Sequence, residues 1–558
     1  MIDDLKDKYR EIPKVVEYLE GVKEDVLQHL DEFRSGGTDQ MPFPWIKKTM
    51  VAEERYQVNL LVGHNENSGA PVIIEKNPTY YNLVGKVEYE SQFGMLSTSF
   101  KMIKPGALHL ANGGYLILQA MDLFTNFQSW DVLKRVLKNK ELQIENIQEQ
   151  IGLVSMSTLR PEPIPINVKV IVIGNPNIYS ILYHYEEDFR KLFKIKADFD
   201  IEMERNTDNI RLMGSFISNQ CRQEGLRHFD RSAVSRVIEY SSRLAEHQEK
   251  LSTRFNDLIE IIHEADGWAA HDNSIIVTFE HVKKAFEEKV YRSNKIEKKM
   301  QDLFREGKVL IDVEGKIVGQ VNALSVIDMG DYTFGRPNRI TAATHLGRSG
   351  IINIEREVKM SGRIHDKGVL ILSGYLASKY AQEIPLTLSA TLTFEQLYSG
   401  VEGDSASSTE LYALLSSLSE VPLRQDIAVT GSVNQKGEIQ PVGGVNEKIE
   451  GFYAICKIKG LTGRQGAIIP HQNINNLMLT DEIIKAVEEG KFHIYGVKNI
   501  DEGIEILTGM PAGDKKEDGT YPEKTINYLV DKKLRYYNKA ISKHAKEQET
   551  DQSKESQD

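Results

Sequence analysis

Only two cysteines, Cys221 and Cys456, occur among 558 residues, and no CxxC pair exists. A disulfide framework is excluded, and a zinc ribbon has no ligands to build on. Both cysteines lie in apolar, helix-like surroundings and read as small core residues in a reducing compartment. Long hydrophobic runs are also missing. The longest, such as Val168–Ile173 and Val369–Leu372, fall far short of the roughly 20 residues needed to span a bilayer. The start, Met1-Ile2-Asp3-Asp4-Leu5-Lys6, has no apolar signal-peptide core. These absences predict a cytoplasmic protein with no membrane partner. Positive charge is in deficit, with 69 Lys and Arg against 81 Asp and Glu, which argues against nucleic acid as a partner. His263-Glu264 would need a second histidine at 267 to hold zinc, and that residue is Gly267, so no metal site is expected. A phosphate-cradling P-loop is absent too. The pairs Gly85-Lys86, Gly307-Lys308, Gly315-Lys316 and Gly490-Lys491 lack both the upstream glycine and the following Ser or Thr. What remains is an ordinary globular composition, 40% hydrophobic and 27% charged, in a chain long enough for three or four domains.

Two short motifs stand out against these absences. Gly403-Asp404-Ser405-Ala406-Ser407 reads as a helix entry that Asp404 can cap, and Leu411, Leu414, Leu415 and Leu418 then form one helical stripe. This places Ser405 in the first turn, beside unpaired N–H donors, each worth roughly 3–4 kcal/mol when aimed at an oxyanion. A serine at such a place is more commonly just a cap. The second motif, Gly443-Gly444-Val445-Asn446-Glu447-Lys448, opens a helix whose stripe is Val445, Ile449, Phe452 and Cys456. Lys448 lies at the edge of that stripe. Partial desolvation lowers a lysine's pKa, and a neutral amine can take a serine proton. For an isolated helix lysine, a solvated head on a snorkelling stem is the ordinary reading. Between the motifs, Ile427–Ser432 is a short strand entering a turn. Thr430 there can orient the amine, or it is a plain strand threonine.

Residues from Phe394 to about Leu507 resemble the proteolytic domain of Lon proteases, a Ser–Lys dyad family. Gly400–Ser407 is similar to the nucleophile motif, and Thr430-Gly431-Ser432 and Gly443–Lys448 match the two other signatures, in order and at the family's spacing. The resemblance implies Ser405 as nucleophile and Lys448 as general base. Thr430 and Asp404 would support them, with the N–H groups of Ser405 and Ala406 holding the oxyanion. Asp404 has two readings, a helix cap or a resting-state partner of Lys448. Phe394, Glu395 and Gln396, on the strand before the nucleophile loop, resemble the family's substrate strand, with an extended peptide adding to its open edge. The alternative is a plain sheet strand.

The chain divides by pattern into five parts. Residues 1–40 carry an amphipathic helix, from the repeat Val15, Val16, Leu19, Val22, Val26, Leu30, Phe33. Residues 41–205 alternate strands (Val58–Val62, Val72–Glu75, Tyr115–Leu118, Val168–Ile173) with helices, predicting a parallel sheet covered on both faces. Residues 206–300 form a helical lid ending in a charged connector, Lys295–Lys299, and 301–510 the proteolytic domain. Residues 511–558 give a helix and, from Glu547, a disordered tail.

The 41–300 region resembles an AAA+ ATPase module, through the run Pro105–Leu118 that leads to the Walker B position. The expected fold class is therefore multidomain α/β and α+β: an AAA+-like module with helical lid, followed by a Lon-type α+β proteolytic domain. Gln119 and Ala120 stand where the Walker B acid belongs. Asn175, Arg190 and Arg254 resemble a γ-phosphate sensor, an arginine finger and a lid arginine. Without a P-loop, their ordinary readings are a strand-end cap and two helix-surface or interface arginines. Phe93 and Met95 stand where AAA+ rings present a pore loop that grips polypeptide.

The expected function is a serine endopeptidase, a homo-hexamer by resemblance, that degrades unfolded or loosely folded polypeptides. It would hydrolyse no ATP and require no cofactor, like the ATP-independent Lon-like branch. A competing explanation puts a P-loop on an upstream segment outside this sequence, which would restore ATP and Mg²⁺. The loss at Gln119-Ala120 favours degeneration, because a missing segment does not account for it. The rival of another class is a non-proteolytic AAA+-like scaffold, against which the retention of Ser405, Thr430 and Lys448 counts.

Overall fold

The computed structural model describes residues 1–34, 55–64, 69–92, 95–145 and 159–555, in two compact units, Met1–Asp198 and Phe199–Asp558.

The first unit is built on three parallel strands, β1 (Val72–Glu75), β2 (Tyr115–Gln119) and β3 (Lys169–Ile173), in that spatial order. Leu116 and Leu118 of β2 are buried, and they pack with Val132, Leu133 and Val136 of helix α1 (Phe127–Asn139). The opposite face differs from the expectation. Val72, Ile74, Tyr115, Ile171 and Ile173 are exposed there, so among the described residues the sheet is covered on one side only. Val58–Val62 forms no strand; its alternation has no ladder partner among the described residues, and Val58 and Leu60 are exposed. The amphipathic repeat at the start is not one helix. It breaks at His29 into Pro13–Gln28 and Leu30–Arg34, after a separate Ile2–Lys8. Glu90–Gln92 and Met95–Ser97 pair antiparallel. Phe93 and the Met95 side chain, the expected pore contacts, lie outside the described residues.

In the second unit, the first part is a helical lid: α3 (Thr207–Glu224), α4 (Arg231–Leu244), α5 (Phe255–His271) and α6 (Phe279–Ser293), with Met213, Ile217, Val237, Leu258, Ile261 and Val282 at its core. The connector expected at Lys295–Lys299 is itself helical, α7 (Lys295–Arg305). Its Lys, Glu, Gln and Met residues are good helix formers, and its Phe304 is buried.

Seven strands then form one mixed sheet: β4 (Gln320–Asp328), β5 (Thr333–His345), β6 (Gly350–Asn353), β7 (Ser389–Phe394), β8 (Ile427–Val429), β9 (Gly466–Pro470) and β10 (His493–Val497), in the spatial order β6-β7-β5-β4-β8-β9-β10. Between β6 and β7 the chain forms α8 (Ile354–Glu357) and α9 (Arg363–Tyr380). Alternation along β8 and β9 divides the core in two. Ile427, Val429 and Ile468 pack in the cluster of Leu411, Leu414, Leu415 and Leu418, on α10 (Ser407–Ser419). Ala428, Ala467 and Ile469 pack in that of Val445, Ile449, Phe452 and Cys456, on α11 (Val445–Lys459). Each large side chain so buried contributes roughly 1.5–3 kcal/mol. The chain ends in α12 (Ile526–Glu555), whose Ile526, Val530 and Leu534 join the α10 cluster, so α10 is buried nearly all round. The helix runs on to Glu555, through most of the segment expected to be a disordered tail; its Lys, Glu and Gln residues are good helix formers. Among the described residues no helix is long and apolar enough to cross a membrane.

Candidate active site

The turn before α10 carries Ser405. Gly403 adopts φ +84, a left-handed conformation that reverses the chain. The Ser407 N–H then donates to the Asp404 carbonyl, and Ala406 is the N-cap residue of α10. Ser405 therefore stands one residue ahead of the cap and not in the first helical turn. Its carbonyl is fixed from the far side: the Gly431 N–H donates to it at 2.8 Å and the Thr430 hydroxyl at 3.4 Å. Ser408 Oγ donates to the Gly431 carbonyl (2.7 Å) and the Val433 N–H donates to Ser407 Oγ (3.0 Å), closing the turn onto the end of β8. Among the described residues, the N–H groups of Ser405 and Ala406 have no acceptor. Two adjacent free donors beside a hydroxyl are the arrangement an oxyanion requires.

Lys448 comes from the other face of the sheet, in the first turn of α11. Gly444, at φ +64, is its N-cap residue. The preceding loop is stapled by Asn473, which accepts from the Val442 N–H and donates to the Val442 carbonyl. Asn446 likewise joins the Asn476 carbonyl to the Met478 N–H. At Gly335 of β5 the α11 backbone comes so near that an added Cβ would sit 1.9 Å from the Glu447 carbonyl oxygen; a Cβ on Gly451 would sit 2.2 Å from that of Gly335. The lid grips the same turn. Arg243 of α4 donates to both carboxylate oxygens of Glu450 (2.7 and 2.8 Å) and lies 3.8 Å from Glu447.

The Lys448 side chain is only 2% exposed. Burial pulls its pKa down to about 8, against the opposing pull of the Asp404 and Glu447 charges. At pH 7 about a tenth of the molecules would then carry the neutral amine, against fewer than about one in a thousand for a free lysine.

The structure revises two supporting roles. Asp404 neither caps α10 nor forms an ion pair with Lys448. Its carboxylate accepts from Ser432 Oγ at 2.8 Å, near enough to favour the charged amine but held away from it. Thr430 directs its hydroxyl to the Ser405 carbonyl, not to the amine.

The proposed substrate strand is also corrected. β7 is interior, with β6 parallel on one side and β5 antiparallel on the other. Beyond the end of β6, the Phe394 N–H donates to Glu355 Oε1. Phe394 itself is buried, Glu395 accepts from Thr341 Oγ1, and Gln396 is tied to Leu310 and Lys308. The edge of the sheet at this end is β6.

In the first unit, Gln119 ends β2, and buried Ala120 opens the next short helix. The Asn175 side chain caps helix α2 (Pro176–Tyr185) by accepting from the Ile178 N–H. Arg190 donates to the Tyr183 carbonyl and stacks over the Tyr183 ring. In the lid, Arg254 donates to the Leu244 carbonyl and pairs with Asp257. Asn175, Arg190 and Arg254 are each engaged locally, and among the described residues no acid stands at the end of β2.

Three regions match protein families: residues 68–200 the "LonB-like, AAA domain", 228–292 the "Archaeal LonB, AAA+ ATPase LID domain", and 400–508 the "Lon protease (S16) C-terminal proteolytic domain". The chain is 34% identical to a protein of Escherichia coli (strain K12) named "Putative Lon protease homolog", over 76% of this chain and 72% of that one. It is 33% identical to a Haemophilus influenzae protein of the same name, over 77% and 70% of the two chains, and 28% identical to the archaeal Lon protease of Archaeoglobus fulgidus, over 83% and 72%. Fold and site thus define a serine peptidase with an AAA-like domain and lid. The chain belongs to the Lon protease family.

Proposed function

We propose that this chain is an endopeptidase that cuts unfolded or loosely folded polypeptide through Ser405 and Lys448, without hydrolysing ATP. The observation that carries the reading is the buried, basic Lys448 amine at the same end of the sheet as a serine with two free N–H donors. Lys448 Nζ takes the Ser405 Oγ proton as Oγ bonds the scissile carbonyl carbon, and the oxyanion is received by the N–H groups of Ser405 and Ala406. Collapse breaks the C–N bond, and the Lys448 ammonium returns the proton to the leaving amine. Water then attacks the Ser405 ester, its proton passing through Lys448 back to Oγ. Ser405 Oγ and Lys448 Nζ form no hydrogen bond in this structure, and such contacts commonly tighten only with substrate in place.

The residues present do not fit a Mg²⁺–nucleotide site. The given sequence contains no P-loop, Gln119-Ala120 stands in place of the acid, and Asn175 and Arg190 are committed to local contacts. No step is assigned to ATP. The family resemblance extends the reading to a cytoplasmic homo-hexameric ring. Without a motor, only segments that open spontaneously would reach the site. Digestion of unfolded casein should proceed without nucleotide and gain little from Mg-ATP, while a stably folded domain resists in both conditions. Strict ATP dependence for casein would overturn the reading.

A further inference from the structure

Beneath the Ser405 turn lies a group of buried polar side chains that the reaction above does not use. His365 of α9 and Glu410 of α10 are each 1% exposed, and His365 Nε2 lies 3.7 Å from Glu410 Oε1. Asn353 Nδ2 donates to the same Glu410 oxygen, at 3.2 Å. Glu355 of α8, 4% exposed, accepts from Thr393 Oγ1 and the Phe394 N–H. His365 Nε2, Glu410 Oε2 and Glu355 Oε2 have no hydrogen-bond partner. The His365 ring meets Phe394 edge-on at 5.7 Å, and the Gly403 backbone faces it, favouring its protonated form. One turn along α9, a Cβ on Gly368 would lie 3.4 Å from Asp404 Cβ and 3.6 Å from Ser407 Cβ. The face of α9 that carries His365 is therefore the floor of the Ser405 turn.

Buried polar groups persist only when paired, and unpaired ones are costly. Burial and the neighbouring Glu355 charge hold the Glu410 carboxyl well above the usual carboxylate range, and burial keeps His365 from charging. The neutral partners complement each other: a carboxylic acid O–H can donate to Nε2, leaving Nδ1–H for the Gly403 carbonyl. Without that chain, Gly403, whose left-handed conformation aims Ser405, has only α9 packing beneath it.

We infer that His365 and Glu410 are positioning residues for the nucleophile: a buried pair, 3.7 Å apart in this structure, that closes into a hydrogen-bond chain from Glu410 through His365 to Gly403 and fixes the backbone from which Ser405 and its oxyanion donors project. The inference rests on Ser405 being the nucleophile. It requires a neutral acid at 410 and an Nδ1 donor at 365, which gives it a signature that packing alone lacks.

The test is steady-state cleavage of a short fluorogenic peptide by the full chain, with circular dichroism melts of each variant. The wild type must lose its activity in Ser405→Ala; that control tests the underlying reading separately. His365→Leu should lower kcat about 100-fold with KM changed less than about threefold, because a displacement of about 1 Å costs that much at a reacting centre. His365→Asn, whose amide can replace Nδ1–H, should recover at least about tenfold of the loss. Glu410→Gln, which keeps a neutral donor, should stay within about fivefold of wild type, whereas Glu410→Leu should fall with His365→Leu. Equal activity in His365→Asn and His365→Leu, a loss carried by KM, or Glu410→Gln as impaired as Glu410→Leu would each overturn the inference. If His365→Leu fails to fold, the two Glu410 variants decide.

Discussion

Ser405→Ala will end peptide-bond cleavage while the fold remains. The hydroxyl is the only group removed, and among the described residues it makes no hydrogen bond; the turn is held by Ser407, Ser408, Thr430 and Gly431. The loss should be about 10⁴-fold or more, as for other activated serine nucleophiles. Lys448→Met, close in shape but unable to take a proton, should lose about 10²–10⁴-fold, the usual span for a general base. Its melting temperature should not fall, since a buried amine is replaced by an apolar chain. Thr430→Ala removes one long hydrogen bond to the Ser405 carbonyl and should cost about tenfold or less. Casein digestion followed by gel, alongside thermal melts, measures all three. Near-wild-type cleavage by Ser405→Ala would remove the nucleophile from the account.

Gly335→Ala should cost about 100-fold in rate, although residue 335 touches no reacting atom. Its new Cβ would stand 1.9 Å from the Glu447 carbonyl oxygen and 2.8 Å from Lys448 Cα. Both are backbone atoms, which cannot rotate aside as a side chain can. Either α11 moves away from β5 by about 1 Å or more, or the strand buckles. Overpacking of this kind costs about 1–3 kcal/mol of stability. A shift of about 1 Å in the catalytic base costs about 100-fold in rate. Gly267→Ala, in the lid helix α5 where nothing lies within 4 Å, is the control and should leave activity unchanged. Equal activity in the two variants would mean that α11 does not need this contact to present Lys448.

The helices bearing the site were legible because their stripes are local. Leu411, Leu414, Leu415 and Leu418, and Val445, Ile449, Phe452 and Cys456, are all buried where their spacing put them. Strand edges were not legible. Whether β7 is an edge depends on β6, four residues whose pairing nothing nearby in sequence announces. Isolated alternation gave similar trouble: Val58–Val62 alternates like a strand, but a strand exists only with a partner. The turn at Asp404–Ser407 was placed one residue into the helix, because Asp404 had every mark of a cap and its real partner, Ser432, is distant in the chain. The same holds for Gly335, Arg243, Asn473 and the His365–Glu410 pair. None lies in the short motifs, and each acts by contact with a segment distant in the chain. A glycine inside a long strand was the one local hint, since it marks a close backbone approach.

The central chemical claim is that a desolvated Lys448 is the base, and the pH dependence of acylation tests it most directly. Only the neutral amine can accept the Ser405 proton, so the acylation rate must follow the deprotonated fraction. Burial places that titration at about 8. In single-turnover experiments, where product release cannot mask chemistry, the rate of wild-type acylation should climb about tenfold per unit from about pH 6 and bend near 8, well below the value of about 10.4 for free lysine. A rate that stays flat between about pH 6 and 10 with chemistry limiting, or one that bends only at the free-lysine value, would contradict it.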